Sequence, residues 1–396
     1  MTTRLYYTDA YLTDFDAAVV ARADDNRRIY LDRTAFYPTS GGQPFDTGRL
    51  GGAEVIEVVD EGDRIAHLLA TPAQAERLHG RLDWPRRFDH MQQHTGQHLL
   101  SAVIADRFGL QTVGVHFGGD ASTLDLAGAS FSHEQVIEAE VWANEAVTGN
   151  RPVGVSFEEA QEAEGLRKAS GRQGTLRIVT IEGLDRSACG GTHVRATGEI
   201  GPILIRKVER VKQLVRLEFL CGMRAVRRAR ADADLLARLA LAQSASPEEL
   251  PRLLESQRAE LKAASAARRE LEEAAAGYRA RELYAATPIN GQGRRVALLW
   301  ESEGPPERLR TLAQAFAALP AAVFVGAVRA PPAVVVAAAV EAGLDVGRLL
   351  KAALERNGGR GGGSTGLAQG SVKDPAALDA VVAEVLAAVR QEGPAR

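Results

Sequence analysis

The chain has 396 residues, of which 45% are hydrophobic and 25% are charged, and its formal net charge is −3. These values are typical of a folded protein of two or three domains and exclude a disordered chain or a short peptide. Its two cysteines, Cys189 and Cys221, are too few for a disulfide framework, so we expect a cytoplasmic protein. The N-terminus lacks the apolar core of a secretory signal, and the longest apolar run, residues 333–340, is too short to span a bilayer. We therefore expect no membrane contact.

Residues 1–84 predict a small antiparallel β-barrel. Short alternating runs at residues 27–37, 53–60 and 63–70 are separated by turn-rich stretches, a pattern typical of hairpins. One of these stretches, TAFYPTSGGQPFDTG at residues 34–48, is rich in glycine.

Residues 85–222 predict an α+β domain, because helical segments alternate there with strands that are not adjacent in sequence. We expect helices over residues 91–108 and 133–147 and strands near residues 122–128, 177–183, 202–209 and 215–220.

Residues 223–287 predict a helical hairpin or coiled coil, made of Met223–Ala242 and a long helix that begins at Ser246. A weak apolar seam along the long helix fits packing against the first helix, or a homodimer through the helical and C-terminal regions. Residues 288–396 predict a small C-terminal α/β domain with a glycine-rich loop at residues 358–370. The predicted fold class is α+β multidomain.

A basic band covers residues 203–230, where nine Lys and Arg residues outnumber two Glu and give a local charge of +7. Such a band can attract a polyanion even when the whole chain is slightly acidic. The alternative is a solvated helix face that happens to be rich in arginine.

Two pairs of residues predict a metal site. His94 and His98 lie four residues apart in a helical segment, so both imidazoles share one face. Cys189 and His193 flank two glycines, which favour a tight loop that can turn both side chains toward one point. One sulfur and three nitrogen donors suit Zn²⁺, so we predict these four residues as zinc ligands and as the catalytic centre.

Several alternatives stay open at this point. His94 and His98 could be buried helix histidines, with Cys189 a small apolar side chain. Four protein ligands suit a structural zinc, whereas a catalytic zinc keeps one open position, for which Cys189 is the ligand most easily displaced. His90 lies one turn before His94, but the span from His90 to His98 is too long for all three histidines to meet one ion, so we expect His90 at the helix start or in a pocket. Cys221 is expected in the core.

The segments MQQHTGQHLLSA and SACGGTHVRATGEIGPI resemble the zinc motifs of the editing domain of alanyl-tRNA synthetases and of AlaX-type alanyl-tRNA editing proteins. TAFYPTSGGQPFDTG resembles the glycine-rich loop of the barrel domain that precedes the editing domain. GGRGGGSTGLAQG resembles the signature of the synthetase C-terminal domain, although Ser-Thr-Gly replaces a common basic-Pro-acidic pattern. Because the chain begins at the barrel, it resembles the long free-standing form.

This resemblance implies zinc-dependent deacylation of tRNA(Ala) that carries serine, with glycine as a second candidate. The bound zinc could activate water, polarise the ester or anchor the substrate, and the identity of the general base stays open. A site that hydrogen-bonds the serine hydroxyl would leave a polar group unpaired with alanine. The expected substrate-binding residues are Gly41, Gly42, Gln43, Thr95 and His116, and the expected tRNA-binding residues are Arg206, Lys207, Arg210 and Lys212.

Two other functions compete with this one. A zinc-stabilised tRNA-binding adaptor without hydrolase activity would unfold when zinc is removed, whereas an editing enzyme would lose turnover and stay folded. A threonyl-type editing domain shares histidine pairs of this kind, but the barrel loop and the C-terminal signature argue against it.

Overall fold

The computed structural model describes residues 1–128, 130–169, 171 and 173–391. The chain divides into two compact units, Met1–Ser244 and Ala245–Arg396. The domain bounds predicted at residues 84, 222 and 287 stay predictions, and the end of the predicted C-terminal domain, residues 392–396, lies outside the described residues. Within the described ranges, no helix combines the length and the apolar character that crossing a bilayer requires.

The N-terminal residues form the predicted closed barrel. Its six strands follow the order β2-β3-β7-β6-β5-β8, and β1 pairs in parallel with β4 beside it. The strands are β1 (Thr3–Arg4), β2 (Asp14–Ala23), β3 (Arg28–Leu31), β4 (Arg33–Thr34), β5 (Gly48–Leu50), β6 (Ala53–Asp60), β7 (Ile65–Leu69) and β8 (Arg77–Leu82). Alternate residues of β8 are buried, as a barrel with an apolar interior requires. Phe15, Ile29, Phe36, Val55 and Leu69 fill that interior.

The rest of the first unit packs three helices with two antiparallel sheets. The sheets have the orders β14-β15-β10-β9 and β11-β12-β13. The elements are α1 (Trp84–Phe108), β9 (Thr112–Phe117), β10 (Ser122–Ala127), α2 (His133–Thr148), β11 (Val153–Glu159), β12 (Thr175–Ile181), β13 (Asp185–Ala188), β14 (Ile203–Val211), β15 (Leu214–Cys221) and α3 (Met223–Ala242). The mixed, multidomain architecture expected from the sequence is therefore confirmed.

Helix α1 begins seven residues before its predicted start at residue 91. The carboxylate of Asp83 accepts from the backbone N–H of Arg86, and Pro85 occupies the first turn, where its missing N–H costs nothing. The prediction rested on the apolar part of the helix, which begins only after the capping residue and the proline, so the predicted start was too late. Gly96 lies so close to Cys221 that a Cβ there would come within 2.2 Å of the sulfur. Glycine therefore lets α1 lie against β15.

A buried ion pair connects α1 to the glycine-rich stretch of the barrel domain. The Nε of Arg87 lies 3.0 Å from both carboxylate oxygens of Asp46, and both side chains are fully buried. Asp46 also accepts from the backbone N–H of Tyr37 at 2.6 Å, while its own N–H donates to the Tyr37 carbonyl. The turn at Ser40–Gln43 lies between Tyr37 and Asp46, so this pair holds the turn against α1.

The second unit contains a long helix and a five-stranded mixed sheet. The sheet has the order β16-β17-β18-β20-β19, in which β16 and β17 run parallel. The elements are α4 (Leu250–Ala286), β16 (Arg295–Glu301), α5 (Pro306–Ala317), β17 (Ala322–Val328), β18 (Ala333–Ala338), α6 (Val346–Arg356), β19 (Arg360–Gly363), β20 (Leu367–Ser371) and α7 (Pro375–Gln391). The predicted pairing of α3 with α4 stays a prediction.

The glycine-rich segment at residues 358–370 was expected to be a loop, and this is corrected in part, because most of it forms the antiparallel pair β19 and β20. A Cβ at Gly361 would lie 2.4 Å from the Cα of Gly370, and one at Gly363 would lie 2.1 Å from the Leu367 carbonyl oxygen. Only glycine permits such close strands, so a composition typical of loops here encodes a sheet edge.

Candidate metal centre

Both predicted residue pairs meet at one point in the first unit. Helix α1 presents His94 and His98 one turn apart, and the loop after β13 brings Cys189 and His193 to them. The four potential ligand atoms lie within 4.8 Å of one another. The Cys189 sulfur is 3.3 Å from Nε2 of His94 and 3.4 Å from Nε2 of His193.

The donor set and its spacing fit a zinc ion. Zinc binds sulfur at about 2.3 Å and imidazole nitrogen at about 2.0–2.1 Å, so tetrahedral ligands lie roughly 3.3–3.8 Å apart. Both sulfur-to-nitrogen distances fall in that range. The cluster could therefore hold a metal with small movements of its side chains.

Each histidine uses its Nδ1 atom for a bond to a neighbouring side chain. Nδ1 of His94 lies 2.9 Å from the amide oxygen of Gln43, and Nδ1 of His98 lies 2.8 Å from a carboxylate oxygen of Asp185. Nδ1 of His193 lies 3.2 Å from the hydroxyl of Thr95. A protonated Nδ1 that donates to these oxygens leaves Nε2 of each ring free to bind a metal.

The orientation of the Gln43 amide is set by the backbone. Its oxygen accepts the N–H of Thr192 at 3.1 Å, and its nitrogen donates to the Thr192 hydroxyl at 2.8 Å. Because a backbone N–H can only donate, the amide oxygen must face both Thr192 and His94. Gln43 is 1% exposed, so this side chain contacts the metal-site residues rather than open space.

Thr95 is also fully buried. Its hydroxyl donates to the Met91 carbonyl at 2.8 Å and accepts from the Val194 N–H at 3.2 Å. With Nδ1 of His193 as its other neighbour, the hydroxyl positions a histidine. The sequence assigned both Gln43 and Thr95 to substrate binding, which stays a prediction, and in the structure both side chains contact the histidines.

The other expected substrate residues lie nearby or outside. Gly41 and Gly42 form a turn with positive φ values of 56° and 87°, and a Cβ at Gly42 would lie 3.4 Å from the Val115 carbonyl on β9. His116 is exposed on β9, opposite Thr123 of β10. The turn therefore lies against the strand that borders the site, while the His116 side chain lies at the surface.

The sequence analysis missed Asp185. This carboxylate is 5% exposed, accepts from His98 and lies 2.6 Å from Nε of Arg167. Asp185, Ser187 and Cys189 alternate along and just after β13, so they share one face. An acidic residue four positions before the cysteine in a strand was the available signal.

The electrostatic setting favours a thiolate at Cys189 and a neutral ring at His193. Burial alone would favour the neutral thiol, but His94 and His193 hold the pKa of Cys189 well below its usual range. Burial and the neighbouring His94 lower the pKa of His193 to about 3. Burial also opposes protonation of His98, yet the bonds to Asp185 and Cys189 outweigh it and raise its pKa to about 9. Metal binding would therefore release a proton from His98, while Cys189 and His193 are already in the forms that ligate metals.

The two glycines between Cys189 and His193 differ in what surrounds them. A Cβ at Gly191 would lie 2.2 Å from Cε1 of His94 and 3.0 Å from the amide oxygen of Gln43. A Cβ at Gly190 would meet its nearest atom, the Tyr7 hydroxyl, at 3.7 Å. The close approach of the loop to His94 thus requires glycine at residue 191 alone.

A cavity of about 300 Å³ adjoins the cluster, and two of its lining residues are His98 and Cys189. The exposed side chain of Lys168 marks its outer edge. Gln97 and Thr112 supply polar groups to its wall, and both donate to the hydroxyl of Ser101, at 2.9 and 2.8 Å. A small polar substrate can therefore approach the metal ligands from this side.

The remaining predicted residues lie on other surfaces. Arg206 pairs with Glu218 at 2.9 Å, Lys207 pairs with Glu209, and Nε of Arg210 lies 3.4 Å from the Lys212 carbonyl. All four basic side chains are exposed on β14 and its turn. As expected, Cys221 is fully buried and His90 lines a pocket.

Comparison with known proteins agrees with this arrangement. The family model described as threonyl and alanyl tRNA synthetase second additional domain matches residues 176–218, and the DHHA1 domain model matches residues 293–391. The alanyl-tRNA editing protein AlaX-M of Methanosarcina acetivorans is 38% identical over 232 residues, which cover 53% of this chain and 94% of that relative. The chain belongs to the alanyl-tRNA editing protein family. The resemblance seen in the sequence motifs is thereby confirmed.

Two further relatives extend the similarity. The alanyl-tRNA editing protein AlaX-L of Pyrococcus horikoshii is 35% identical over 241 residues, or 57% of this chain and 59% of the relative. The alanine–tRNA ligase of Pyrobaculum neutrophilum is 34% identical over 399 residues, or 94% of this chain and 43% of the ligase. The similarity to the ligase thus runs through both units of this chain, which spans less than half of the ligase.

Proposed function

We propose that this editing protein is a zinc-dependent deacylase that removes serine from mischarged tRNA(Ala), with glycyl-tRNA(Ala) as a second substrate. As an alanyl-tRNA editing protein it acts in translation quality control as an aminoacyl-tRNA deacylase. The observation that carries the zinc dependence is the cluster of His94, His98, Cys189 and His193 beside an accessible cavity. We also propose a cytoplasmic location, in line with the two unpaired cysteines.

The proposed catalytic centre consists of those four ligands. A bound zinc would supply Lewis acidity toward the ester carbonyl and would favour deprotonation of water. The protein contributes fixed imidazole orientations through Gln43, Thr95 and Asp185, which hold the ligand atoms in place before the substrate arrives. Burial opposes ionisation of Asp185, but His98 and then Arg167 outweigh it and lower the pKa of this carboxyl group. Arg167 also lines the cavity.

Selectivity for serine requires a polar group that the hydroxyl of the substrate satisfies. Gln97 and Thr112 line the cavity and are fixed by their shared partner, Ser101. We propose that one of these groups bonds the serine hydroxyl, alongside Gly41 and Gly42 as part of the adjacent wall. Alanine would leave that group unpaired, and a buried group left without its partner discriminates strongly.

The tRNA would bind through phosphate contacts from exposed cations. Arg206, Lys207, Arg210 and Lys212 on β14 are proposed to make some of these contacts. Lys168 lies at the outer edge of the cavity, where the 3′-terminal nucleotide would be held. Dimerisation through the helical and C-terminal regions stays a proposal, which sedimentation of the full chain would test.

The direct experiment incubates the protein with seryl-, glycyl- and alanyl-tRNA(Ala) and follows release of the amino acid. The proposal expects rapid release of serine, slower release of glycine and sparing of alanine, with loss of activity in His94→Ala. Gln97→Leu should lower the rate on seryl-tRNA(Ala) more than the rate on glycyl-tRNA(Ala). Equal rates on all three substrates would remove the selectivity argument, and undiminished activity in His94→Ala would remove the metal from the mechanism.

A further inference from the structure

A second cavity of the first unit has a volume of about 1140 Å³ and is lined by Pro44, beside the glycine-rich turn. Five arginines line it, and two carboxylates, those of Asp89 and Asp120, also reach it. Among the lining residues, arginines therefore outnumber carboxylates by three. The arginines are Arg86, Arg206, Arg224, Arg227 and Arg228.

Three of these arginines are already paired with carboxylates. Nε of Arg224 lies 2.9 Å from Asp89, that of Arg228 lies 2.9 Å from Asp232, and Arg206 is paired with Glu218. Among the described residues, no carboxylate lies within 4.0 Å of the guanidinium of Arg86 or Arg227. Arg86 donates its Nε–H to the Phe45 carbonyl at 3.1 Å, which leaves its terminal nitrogens for another acceptor.

A buried imidazole also lines this cavity. His90 is 5% exposed, lines the cavity, and its Nδ1 has no hydrogen-bond partner among the described residues. Burial and the charge of Arg86 lower its pKa to about 4, so the ring is neutral at physiological pH. A neutral imidazole carries one N–H, which a phosphate oxygen can accept where the ring reaches the cavity. The Nδ1 atom itself is buried away from the cavity, and a buried polar atom without a partner costs stability.

This cavity has a defined position relative to the metal ligands. His90 precedes His94 by four residues of α1, which is about 6 Å along the helix. Pro44, which lines the cavity, follows Gln43, whose amide contacts His94. The chain of β9 borders the smaller cavity at Val115 and continues to Gly118 in the larger one.

We propose that the arginine-lined cavity binds backbone phosphates of the tRNA strand whose acylated 3′ end is presented to the metal centre, with Arg86, Arg227 and His90 as the contacting side chains. This inference rests on the proposed function. It adds two residues of α1 to the basic band at residues 203–230: Arg86 as a further cation and His90 as a neutral donor. Guanidinium groups suit phosphate because they offer several N–H donors in one plane.

The test measures binding of deacylated tRNA(Ala) to the full chain by fluorescence anisotropy over a range of salt concentrations. Arg86→Ala and Arg227→Ala should each weaken binding by about three- to tenfold at about 0.15 M salt. Each should also reduce the slope of log affinity against log salt by about 0.7–0.9, as expected for one lost phosphate contact. Arg238→Ala, an exposed arginine of α3 outside the cavity, is the matched control and should leave both quantities unchanged.

His90→Leu separates a ligand contact from a purely structural role. If the imidazole contacts RNA, the variant should bind tRNA more weakly while its melting temperature stays equal or rises, because a buried unpaired group has been removed. Wild-type affinity in His90→Leu together with wild-type salt slopes in both arginine variants would overturn the inference. Deacylation of seryl-tRNA(Ala) by the wild type is assayed in parallel, so tight RNA binding without hydrolysis would refute the proposed function and leave the binding site standing.

Discussion

The amide oxygen of Gln43 lies 2.9 Å from Nδ1 of His94, across a separation of 51 residues in the chain. This contact joins the turn of the barrel domain to the helix that carries the first histidine pair. Because the same oxygen accepts the backbone N–H of Thr192, one side chain connects both halves of the metal centre. The glycine-rich turn therefore acts on the ligands directly, through the residue that follows its two glycines.

Substitution of Gln43 tests this connection. Gln43→Leu removes the acceptor for Nδ1 of His94 and should lower zinc affinity by about 10–100-fold, the usual effect of losing a bond behind a metal ligand. Gln43→Glu keeps an acceptor and should lose less. Zinc affinity is measured by competition with a chelator of known strength, and an unchanged value in Gln43→Leu would show that His94 is oriented by other means.

The two glycines of the cysteine loop provide a matched pair. Gly191→Ala places a methyl group 2.2 Å from His94, so the ring or the loop must move, and zinc affinity should fall at least about tenfold. Gly190→Ala meets its nearest neighbour at 3.7 Å and should bind zinc as the wild type does. Equal affinities in the two variants would show that the loop does not approach His94 as closely as these distances require.

The buried pair of Arg87 and Asp46 should dominate the stability of the first unit. Arg87→Leu leaves the carboxylate of Asp46 buried without its cation, which typically costs about 3–5 kcal/mol. Chemical denaturation gives the free energy of unfolding. Arg81→Leu, on the exposed face of β8, is the control and should change it by less than about 1 kcal/mol. Similar losses in the two variants would exclude a special role for the buried pair.

His67 makes the stability of the barrel depend on pH. Its ring is fully buried between Thr34 and the Ile29 carbonyl, and burial lowers its pKa from 6.5 to about 4. Between pH 6.5 and 4 the unfolded chain therefore binds a proton that the folded chain does not. The free energy of unfolding consequently decreases as the pH is lowered through this range. The loss from this residue is about 3 kcal/mol and levels off below about pH 4.

The measurement compares unfolding free energies of wild type and His67→Gln from about pH 7 to about pH 4. The difference between the two proteins should shrink as pH falls, because only the wild type loses the contribution of a neutral His67. A constant difference between the two proteins over this pH range would mean that the imidazole of His67 takes up a proton within the folded barrel.

The sequence predicted most of the helices and strands, and it predicted that His94, His98, Cys189 and His193 lie together, for physical reasons. The alternation of apolar residues in strands, their helical spacing and the helix caps are all local features of the sequence. The predicted bounds of the helix Met223–Ala242 therefore match the structure. The equal spacing of the two pairs, His94 with His98 and Cys189 with His193, indicated the candidate metal centre. The glycine-rich edge at β19 and β20 was not predicted, because glycine signals turns locally while here it allows close packing of strands.

The supporting residues of the site depended on tertiary contacts. Gln43 and Thr95 have polar side chains near glycines or ligands, which suggested substrate contact, but burial directs both toward histidines. Asp185 was missed because its partner, His98, lies 87 residues away, although its place four residues before Cys189 was a local signal. That signal does not say which ligand the carboxylate will contact.

The most direct test of the account restores zinc to protein from which it has been removed by a chelator. Hydrolysis of seryl-tRNA(Ala) should rise linearly to one zinc per chain, while circular dichroism shows the chain folded throughout. Full hydrolysis without metal, or unfolding of the chain when zinc is removed, would contradict a catalytic zinc held by His94, His98, Cys189 and His193.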